Sequence, residues 1–546
     1  MHKTILILLV VVCCGIPLHA QDTTFNRVVT VERDYQPDIE KAVKIKLQPV
    51  IQKEEVEPNP VVYSTYSNPL SVGYNLHPLQ AAKTTFIPQP TLNGLIEGAI
   101  GHRNSHLLFA YRLTQKKKTS LNLYANHDAY WGRDALSTSA LGMELTRHFS
   151  KADLYFNVAG DHEYFTYYGR LFDTNSNIAT PLAFQHLWNV NTHIGLKSTN
   201  KKAVQYRLET GYTAYIASTD AIEHLLRSHL DIAWANDNHS AGIHTSVQNS
   251  LRNDSNTWNK HALRVEPFYA YKNERLHVHL GVNFDVNIGM GKLFSTLDNV
   301  AFAPSPNVTF DWTMIKNVFT LYAHAKGSIG TGSLDEYLGY NRYLNIAEGM
   351  TFDLPRAYTP VDAQVGFKIR PLRTMLIDVY GGYAYMHNAC NMMAIVDPLY
   401  EHAALDFKLQ LADYQRWKLG ATLHWHIRDI VELNLGANYY LWQGANGMTT
   451  YDRPSWDAFA RLDIHFDSKW SIYSENYLVG GCWAATTVGD KWLKPTVALN
   501  LGGQYSVNNW LHVYLQLNNY LNRKNDIFYG YQSQGCHFLL GLKYKF

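Results

Sequence analysis

The chain ends in Cys536-His-Phe-Leu-Leu-Gly-Leu-Lys-Tyr-Lys-Phe546, and this stretch decides the fold. Every even-numbered residue from Phe538 onward is apolar or aromatic, whereas Lys543 and Lys545 occupy the opposite face of an extended chain. A strand with one apolar and one polar face that stops on a terminal aromatic residue is typical of the closing strand of an outer-membrane barrel. Taken alone, an alternating strand is also compatible with the end of a soluble β-sandwich.

The same alternation recurs along the chain from Gly94 onward. Between Leu276 and Ile288 every even-numbered residue is apolar, and most of the odd-numbered residues are polar. The stretches Trp417 to Ile427 and Leu511 to Leu517 follow the same rule. If the apolar faces contact lipid, the other faces line a watery lumen. The candidates that we expect to face this lumen are His277, His279, Asp285, His424, His426, His512, Lys543 and Lys545.

Short polar turns alternate with longer connections, which is the spacing of a bacterial barrel. The longer connections, notably residues 330–358 and 389–415, are expected outside the cell. Residues 94–546 are therefore predicted to form an all-β transmembrane antiparallel barrel of about 22 strands, within a range of roughly 16 to 22. Alternation is weakest at residues 471–480 and 403–414. The short turns, expected in the periplasm, are residues 115–119, 150–151, 200–202, 236–239, 272–275, 314–317, 371–373, 428–430, 467–469 and 508–509.

The first 93 residues differ from the rest. Residues 1–20 contain an apolar run from Ile5 to Cys14 and are predicted to be a secretory signal peptide. Residues 21–93 hold eight of the chain's 19 prolines and are predicted to form an extended periplasmic arm. We expect this arm to bind a periplasmic partner by adding a strand to it. The residues proposed for that contact are Val29, Val31, Glu32 and Tyr35.

The predicted barrel implies further partners besides the one expected for the arm. Outer-membrane lipid would surround the apolar face, and the barrel would be a monomer. Phe546 and Tyr544 would lie at the periplasmic interface and mark the chain for the barrel assembly machinery. The net charge of +2 gives no indication of a nucleic-acid partner.

No motif for catalysis or for cofactor binding stands out. The pairs His277 with His279 and His424 with His426 each share one face of a strand, but no third metal ligand accompanies them. The glycine-rich stretch Gly327 to Gly332 is expected to leave a strand and enter a loop rather than a helix, so it is not predicted to bind phosphate. We therefore predict no enzyme activity, no cofactor and no metal.

Four motifs resemble those of TonB-dependent-receptor-like outer-membrane proteins of Bacteroidota. The arm supplies Val29 to Pro37, and the predicted barrel supplies Tyr164 to Gly169, Leu321 to Gly327, and Asn518 to Leu521 followed by Gly530 to Gly535. The resemblance implies a receptor barrel of 22 strands. The arm is too short for the plug domain of a full receptor, and the nearest candidate for an energy-coupling segment is Arg27 to Val31.

Two functions remain open from the sequence. The first is a receptor or channel that binds a ligand or passes it across the outer membrane, with the arm or infolded loops filling the lumen. The second is a barrel that transports nothing and serves as a scaffold for periplasmic or surface partners. The ligand, and whether any transport is TonB-driven or passive, are not predicted.

Overall fold

The computed structural model describes residues 93–546 apart from short gaps. The gaps are 116–117, 170–183, 200–202, 220, 253–257, 290–299, 345–356, 397, 399–403, 405 and 429. The predicted signal peptide, nearly all of the predicted arm, and with it Val29, Val31, Glu32 and Tyr35, lie outside the described residues.

The described residues form 26 strands, one α-helix and one short 3-10 helix, Ala445–Gly447. In chain order they are β1 (Gly94–Gly101), β2 (Asn104–Gln115), β3 (Thr119–Tyr130), β4 (Leu136–His148), β5 (Ala152–Thr166), β6 (Phe184–Ser198), β7 (Ala203–Ala217), β8 (Ile222–Ala235), β9 (His239–Arg252), β10 (Trp258–Lys272), β11 (Leu276–Ile288), β12 (Val300–Ile315), β13 (Phe319–Ile329), α1 (Leu334–Tyr340), β14 (Tyr358–Leu372), β15 (Met375–Ile395), β16 (Asp406–Ile427), β17 (Val431–Gly444), β18 (Trp456–His465), β19 (Trp470–Val479), β20 (Cys482–Thr486), β21 (Lys491–Leu493), β22 (Thr496–Ser506), β23 (Leu511–Asn518), β24 (Asp526–Phe528), β25 (Tyr531–Gln532) and β26 (His537–Lys545).

The chain forms a closed antiparallel barrel of 22 strands. Each wall strand pairs with the next wall strand along the chain, and β1 pairs with β26 to close the ring. Four short strands stand outside the wall. The hairpin β20–β21 lies between β19 and β22, and β24–β25 form a separate two-stranded sheet. The predicted fold class and strand number are thus confirmed.

The predicted turn at residues 200–202 lies outside the described residues, and the other nine, as far as they are described, lie between consecutive wall strands. We call this end of the barrel the turn end and the opposite end, with the longer connections, the loop end. Asn273 illustrates how a turn is fixed, because its side chain accepts hydrogen bonds from the amides of Arg275 and Leu276 at 2.8 and 2.7 Å. Asp467 and Asn508 act in the same way in two other turns. Local turn chemistry therefore sets the strand boundaries at this end.

The two faces of the wall have opposite character. In β11, Leu280 is 50% exposed and Ile288 is 48% exposed, whereas Asn283 and Asp285 are each 4% exposed. In β26, Leu540 and Leu542 are exposed on the same side as Phe538, and His537 and Leu539 are buried. The outward face of the barrel is thus a broad apolar surface that water would not solvate well. A closed barrel with this surface belongs in the outer membrane.

At the loop end, two strands extend past their neighbours. β14 pairs with β15 only as far as His387, and β17 pairs with β16 only from Tyr414. Beyond a register shift at Met386/Ala389, β15 and β16 continue as a two-stranded ribbon to Ile395 and Asp406. The edge of this ribbon is extended by β20, which pairs with β15 in parallel. The ribbon therefore rises above the wall instead of forming part of it.

The helix α1 corrects one expectation from the sequence. The stretch Gly327 to Gly332 was expected to enter a loop, but after Ser333 the chain forms the seven-residue helix α1. Gly332 has φ +61°, a conformation that suits glycine and turns the chain into the helix. The carboxylate of Glu336 accepts hydrogen bonds from the amides of Thr331 and Gly332, both at 2.7 Å. These amides are therefore engaged within the loop.

Candidate site: the lumen and the cap over the loop end

Polar side chains on the inner wall form hydrogen bonds and ion pairs between adjacent strands. His277 contacts Asp311 at 3.1 Å, and His279 contacts Glu266 at 3.0 Å. Asp285 is held by two hydrogen bonds from Arg264, at 2.7 and 3.2 Å. Because each group has a partner on the next strand, the structure distributes these candidates along the wall and does not gather them into one pocket.

The remaining lumen candidates are also paired locally. His424 contacts Asn434 at 2.5 Å, and His426 lies 3.8 Å from Glu432 on the same neighbouring strand. His512 is buried and contacts Ser506 at 2.8 Å. Lys545 is partly buried near the turn end.

Lys543 takes part in the closure of the barrel. Its ammonium lies 3.1 Å from the carboxylate of Glu97, which is 1% exposed. The two residues are register partners across the β1–β26 pair. His106 approaches the same carboxylate at 3.9 Å and contacts Asp128 at 2.6 Å. The seam between the first and last strands thus carries a chain of charged and ionisable groups across β26, β1, β2 and β3.

The terminal aromatic residues lie on the outer face at the turn end. Phe546 stacks on Tyr544 and on Tyr111, with ring centroids 5.8 and 6.1 Å apart. Both terminal rings are partly exposed to the outside of the barrel. Their proposed role in barrel assembly stays a prediction.

Among the residues that the structure describes, no group of three His, Cys, Asp or Glu side chains is arranged to hold a metal ion. Asp311 contacts two histidines, His277 and His324, one through each carboxylate oxygen and both at 3.1 Å. Sequence reasoning missed Asp311 because it lies on β12, where alternation alone does not show which histidines face it.

An apolar cluster of buried side chains, which we call the cap, lies at the loop end. It contains three fully buried aromatic residues: Phe165 near the end of β5, Tyr167 just after β5, and Tyr531 in β25. Tyr343, which follows α1, stacks on Tyr531 with centroids 3.9 Å apart. The other buried members are Ala217, Ala221, Leu334, Tyr337, Leu344, Cys390, Met392, Ala394, Val396, Ala404, Phe407 and Leu409.

Two of the quoted sequence motifs meet in the cap. The hydroxyl of Tyr168 donates a hydrogen bond to the carbonyl of Gln532 at 2.5 Å, and its ring packs against Tyr531. Gly169 lies so close to Gly530 and Tyr531 that a Cβ at this position would clash with the backbone carbonyl of Gly530. The motifs Tyr164 to Gly169 and Gly530 to Gly535 therefore form one contact between distant connections.

Buried polar groups fasten α1 to the inner wall. Glu223, which is 0% exposed, accepts hydrogen bonds from the amide of Leu334 at 2.7 Å and from Ser250 at 2.5 Å. The ammonium of Lys260 donates to the carbonyl of Gly332 at 3.2 Å, and Arg227 pairs with Asp335 at 3.0 Å. α1 therefore forms a strap across β8, β9 and β10.

A further ion pair fixes the chain after α1. Arg342 lies 2.7 Å from Glu163 of β5, next to the aromatic residues of the cap. The strap is thus tied to the wall on two sides, through Arg227 and through Arg342. No sequence motif marks these charges, because their partners are separated from them by long stretches of chain.

Comparison with known proteins supports the fold and little beyond it. No protein-family model and no curated protein sequence matches the chain. Solved structures do match. The siderophore receptor PirA from Acinetobacter baumannii aligns with a TM-score of 0.63 at 10% identity, covering 83% of this chain and 80% of that one.

Two further structures give the same result. The copper transporter OprC aligns with a TM-score of 0.62 at 9% identity, covering 83% of this chain and 80% of that one. The ferric-catecholate import receptor Fiu from E. coli K12 aligns with a TM-score of 0.62 at 11% identity, covering 84% and 82%. At such low identity the likeness shows a shared barrel fold. The resemblance to Bacteroidota proteins without a full plug stays a prediction.

Proposed function

We propose that the protein is a receptor- or channel-type barrel that binds a ligand at the loop end and passes it across the outer membrane, without catalytic activity. The observation that carries this proposal is the cap. A scaffold needs only a stable wall, whereas here the buried Glu223, the buried Lys260 and a partly exposed ion pair of Arg227 with Asp335 fasten a helix across the inner face. Transport functions named for proteins of similar fold, the siderophore receptor PirA and the copper transporter OprC, are consistent with it.

The polar lumen suits the passage of a hydrated solute. Several of its carboxylates form ion pairs with arginines, as in Asp285 with Arg264 and Asp463 with Arg461. Paired groups hold little net charge toward the lumen, so they favour a polar ligand over a strongly charged one. The strap formed by α1 would then act as the gate at the loop end.

The predicted arm, residues 21–93, belongs to the same proposal. A barrel of 22 strands encloses a wide channel, which must be filled to keep the outer membrane tight. We propose that the arm lies in the periplasmic mouth and presents Val29, Val31, Glu32 and Tyr35 to a periplasmic partner. Deletion of residues 21–90 should raise single-channel conductance in planar bilayers. Unchanged conductance would contradict a plugging arm.

The gate can be tested by removing the two ion pairs that tie the strap. In the double variant Arg227→Ala/Arg342→Ala, the strap should loosen, and conductance and uptake of large antibiotics should increase. The matched control is Lys316→Ala, which breaks an exposed pair with Glu274 at the turn end and should change neither. If the double variant stays closed and the protein co-purifies stoichiometrically with another envelope protein, the scaffold function is correct instead.

A further inference from the structure

The outer face of the barrel is not uniform near the loop end. Along β3 to β10, among the described residues, five histidines occupy outward positions close to the ends of their strands that lie toward the loop end. In the other strands the corresponding outward residues are mostly aliphatic or aromatic, such as Leu540, Trp417 and Tyr439, all exposed. The five histidines, which we call the outer histidine arc, are His127, His162, His186, His224 and His261.

Strand pairing shows that these residues face outward. His127 is the register partner of Leu107, which is 55% exposed, and His162 is the partner of Trp188, which is 51% exposed. Register partners share one face of the sheet. The residues next to His162 in sequence face the other way, since Asp161 bonds to Asn191 and Glu163 bonds to Arg342 of the cap region.

The middle of the arc is a compact cluster on β5 and β6. Nε2 of His162 lies 3.0 Å from Nδ1 of His186. The ring of His162 packs on Trp188 with centroids 4.0 Å apart, and Tyr164 packs on His186 at 4.9 Å. Aromatic rings of this kind are typical of the level where lipid headgroups meet the hydrocarbon region. Since the loop end is predicted to face the outside of the cell, we expect this cluster at the headgroup level of the outer leaflet.

The hydrogen-bond partners of these outward histidines differ from the hydrogen-bond partners of the histidines that face the lumen. Outward, His127 contacts Ser139 at 2.8 Å, His224 contacts Tyr212 at 2.7 Å and His261 contacts Asn249 at 2.7 Å. Inward, His244 contacts Asp231 and His279 contacts Glu266. At the outward positions of β3 to β10 that the structure describes there is no Asp or Glu. The arc is thus a surface of imidazoles without anionic partners from the protein.

We propose that the outer histidine arc binds the phosphorylated headgroups of outer-leaflet lipids. An imidazole has two ring nitrogens, so it can bond to its protein neighbour and donate to a phosphate oxygen at the same time. The absence of carboxylates removes the repulsion that a phosphate would otherwise meet. The indole and phenol rings beside His162 and His186 pack against the lipid below its headgroup. Lipid binding is thereby confined to one side of the barrel.

Native mass spectrometry of the purified protein with diphosphorylated lipid A tests this proposal. The triple variant His127→Leu/His162→Leu/His186→Leu should bind lipid A about tenfold more weakly, because several hydrogen bonds to a charged group are lost. The matched control, Tyr383→Leu/Trp417→Leu/Tyr439→Leu, changes outward residues of the loop end on the opposite side and should bind as the unmodified protein does. Dephosphorylated lipid A should bind weakly to all three proteins.

Three results would overturn the proposal. They are unchanged lipid A binding in the triple variant, equal loss in the aromatic control, and equal binding of the dephosphorylated lipid. Heat-modifiable migration on gels reports whether each variant forms the barrel. If the triple variant does not form the barrel, the single variants His127→Leu, His162→Leu and His186→Leu are compared. Unchanged lipid A binding in all three single variants would also overturn the proposal. Conductance should not respond to these outward changes, so the result is independent of the proposed gate.

Discussion

Phe546, the last residue, and Gly94, the first residue of β1, exchange two backbone hydrogen bonds of 2.7 and 3.0 Å. The aromatic ring of Phe546 lies directly over Gly94, where a Cβ atom would occupy the same space as the ring. Glycine at this position therefore allows the terminal ring to fold back over the seam. Closure of the barrel thus depends on the two ends of the 94–546 segment together.

Replacement of Gly94 should therefore disturb closure. In Gly94→Val the new side chain would displace the ring of Phe546 and weaken the last hydrogen bonds of the seam, so less folded barrel should reach the outer membrane. Outer-membrane fractionation and heat-modifiable migration measure this. Gly98→Val is the matched control, because no atom lies within 4 Å of the Cβ that would be added there. Equal loss in the two variants would contradict the role of the ring.

Deletion of Phe546 tests the predicted assembly signal separately. The deletion removes both the terminal ring and the hydrogen bonds to Gly94, and we expect impaired insertion and a lower level of barrel in the outer membrane. A Phe546→Tyr variant keeps an aromatic terminus and the backbone contacts, so it should insert normally. Normal levels of the deletion variant would count against an assembly role for this residue.

The ion pair of the buried Glu97 with the partly buried Lys543 should contribute to the stability of the seam. In Lys543→Met the carboxylate of Glu97 loses its nearest cation while it remains buried, which should cost about 3 kcal/mol. Urea unfolding in lipid vesicles measures the free energy of unfolding. Glu274→Gln, which breaks the exposed pair with Lys316, should change it by less than about 0.5 kcal/mol. Similar losses in both variants would show that burial of Glu97 does not matter.

The sequence predicted the wall well because the signals for the wall are local. Alternation in Leu276 to Ile288 reflects side chains two residues apart, and a turn such as that at Asn273 is set by residues two or three positions away. Even β19, where alternation is poor, is held in place by pairing with β18 and β22. On the outward face of β19, Asn476 bonds to Ser474 at 3.1 Å. Because these two polar residues occupy positions where apolar residues are expected, hydropathy alone was ambiguous there.

The cap was not predictable in the same way. Tyr167 donates a hydrogen bond to the carbonyl of Leu344, and Tyr168 to that of Gln532, across 177 and 364 residues of chain. No periodicity connects such residues, and α1 is too short to give a helical pattern. The quoted motifs around Tyr164 to Gly169 and Gly530 to Gly535 were visible in the sequence, but that they touch one another was not.

Tyr531 should be central to the cap. In Tyr531→Ala a fully buried ring that packs on Tyr343 and Tyr168 is lost, and the cavity should weaken local packing by about 3 kcal/mol. The connection that contains α1 should then be cleaved faster by protease added to intact cells. The control is Tyr520→Ala, which removes an exposed ring from the β23–β26 connection that also contains Tyr531. It should leave the rate of protease cleavage unchanged. A cleavage rate that is the same for both variants would contradict a cap held by Tyr531.

Asp452, in the connection between β17 and β18, should make the ribbon sensitive to pH. Its carboxylate accepts a hydrogen bond from the amide of Met392 at 3.0 Å, and Asp452 itself donates its amide to Trp483 at 2.8 Å. The residue is only partly exposed, and burial of the carboxylate raises its pKa to about 6 from the usual 3.8. A raised pKa means that the folded state prefers the protonated acid. The contribution of Asp452 to the stability of the folded state is therefore complete below pH 3.8 and is lost as pH rises through about 6.

The variant Asp452→Asn keeps an acceptor for Met392 but cannot ionise, so it isolates this effect. Thermal unfolding of the two proteins should coincide near pH 4, and the variant should be the more stable one near pH 7.5. Protease protection of the ribbon should change in the same direction, because Asp452 links β15 to β20 at Met392 and Trp483. The matched control is Asp526→Asn, in the separate β24–β25 sheet. A stability difference between unmodified protein and Asp452→Asn that does not vary between these pH values would show that the carboxylate is already solvated in the folded state.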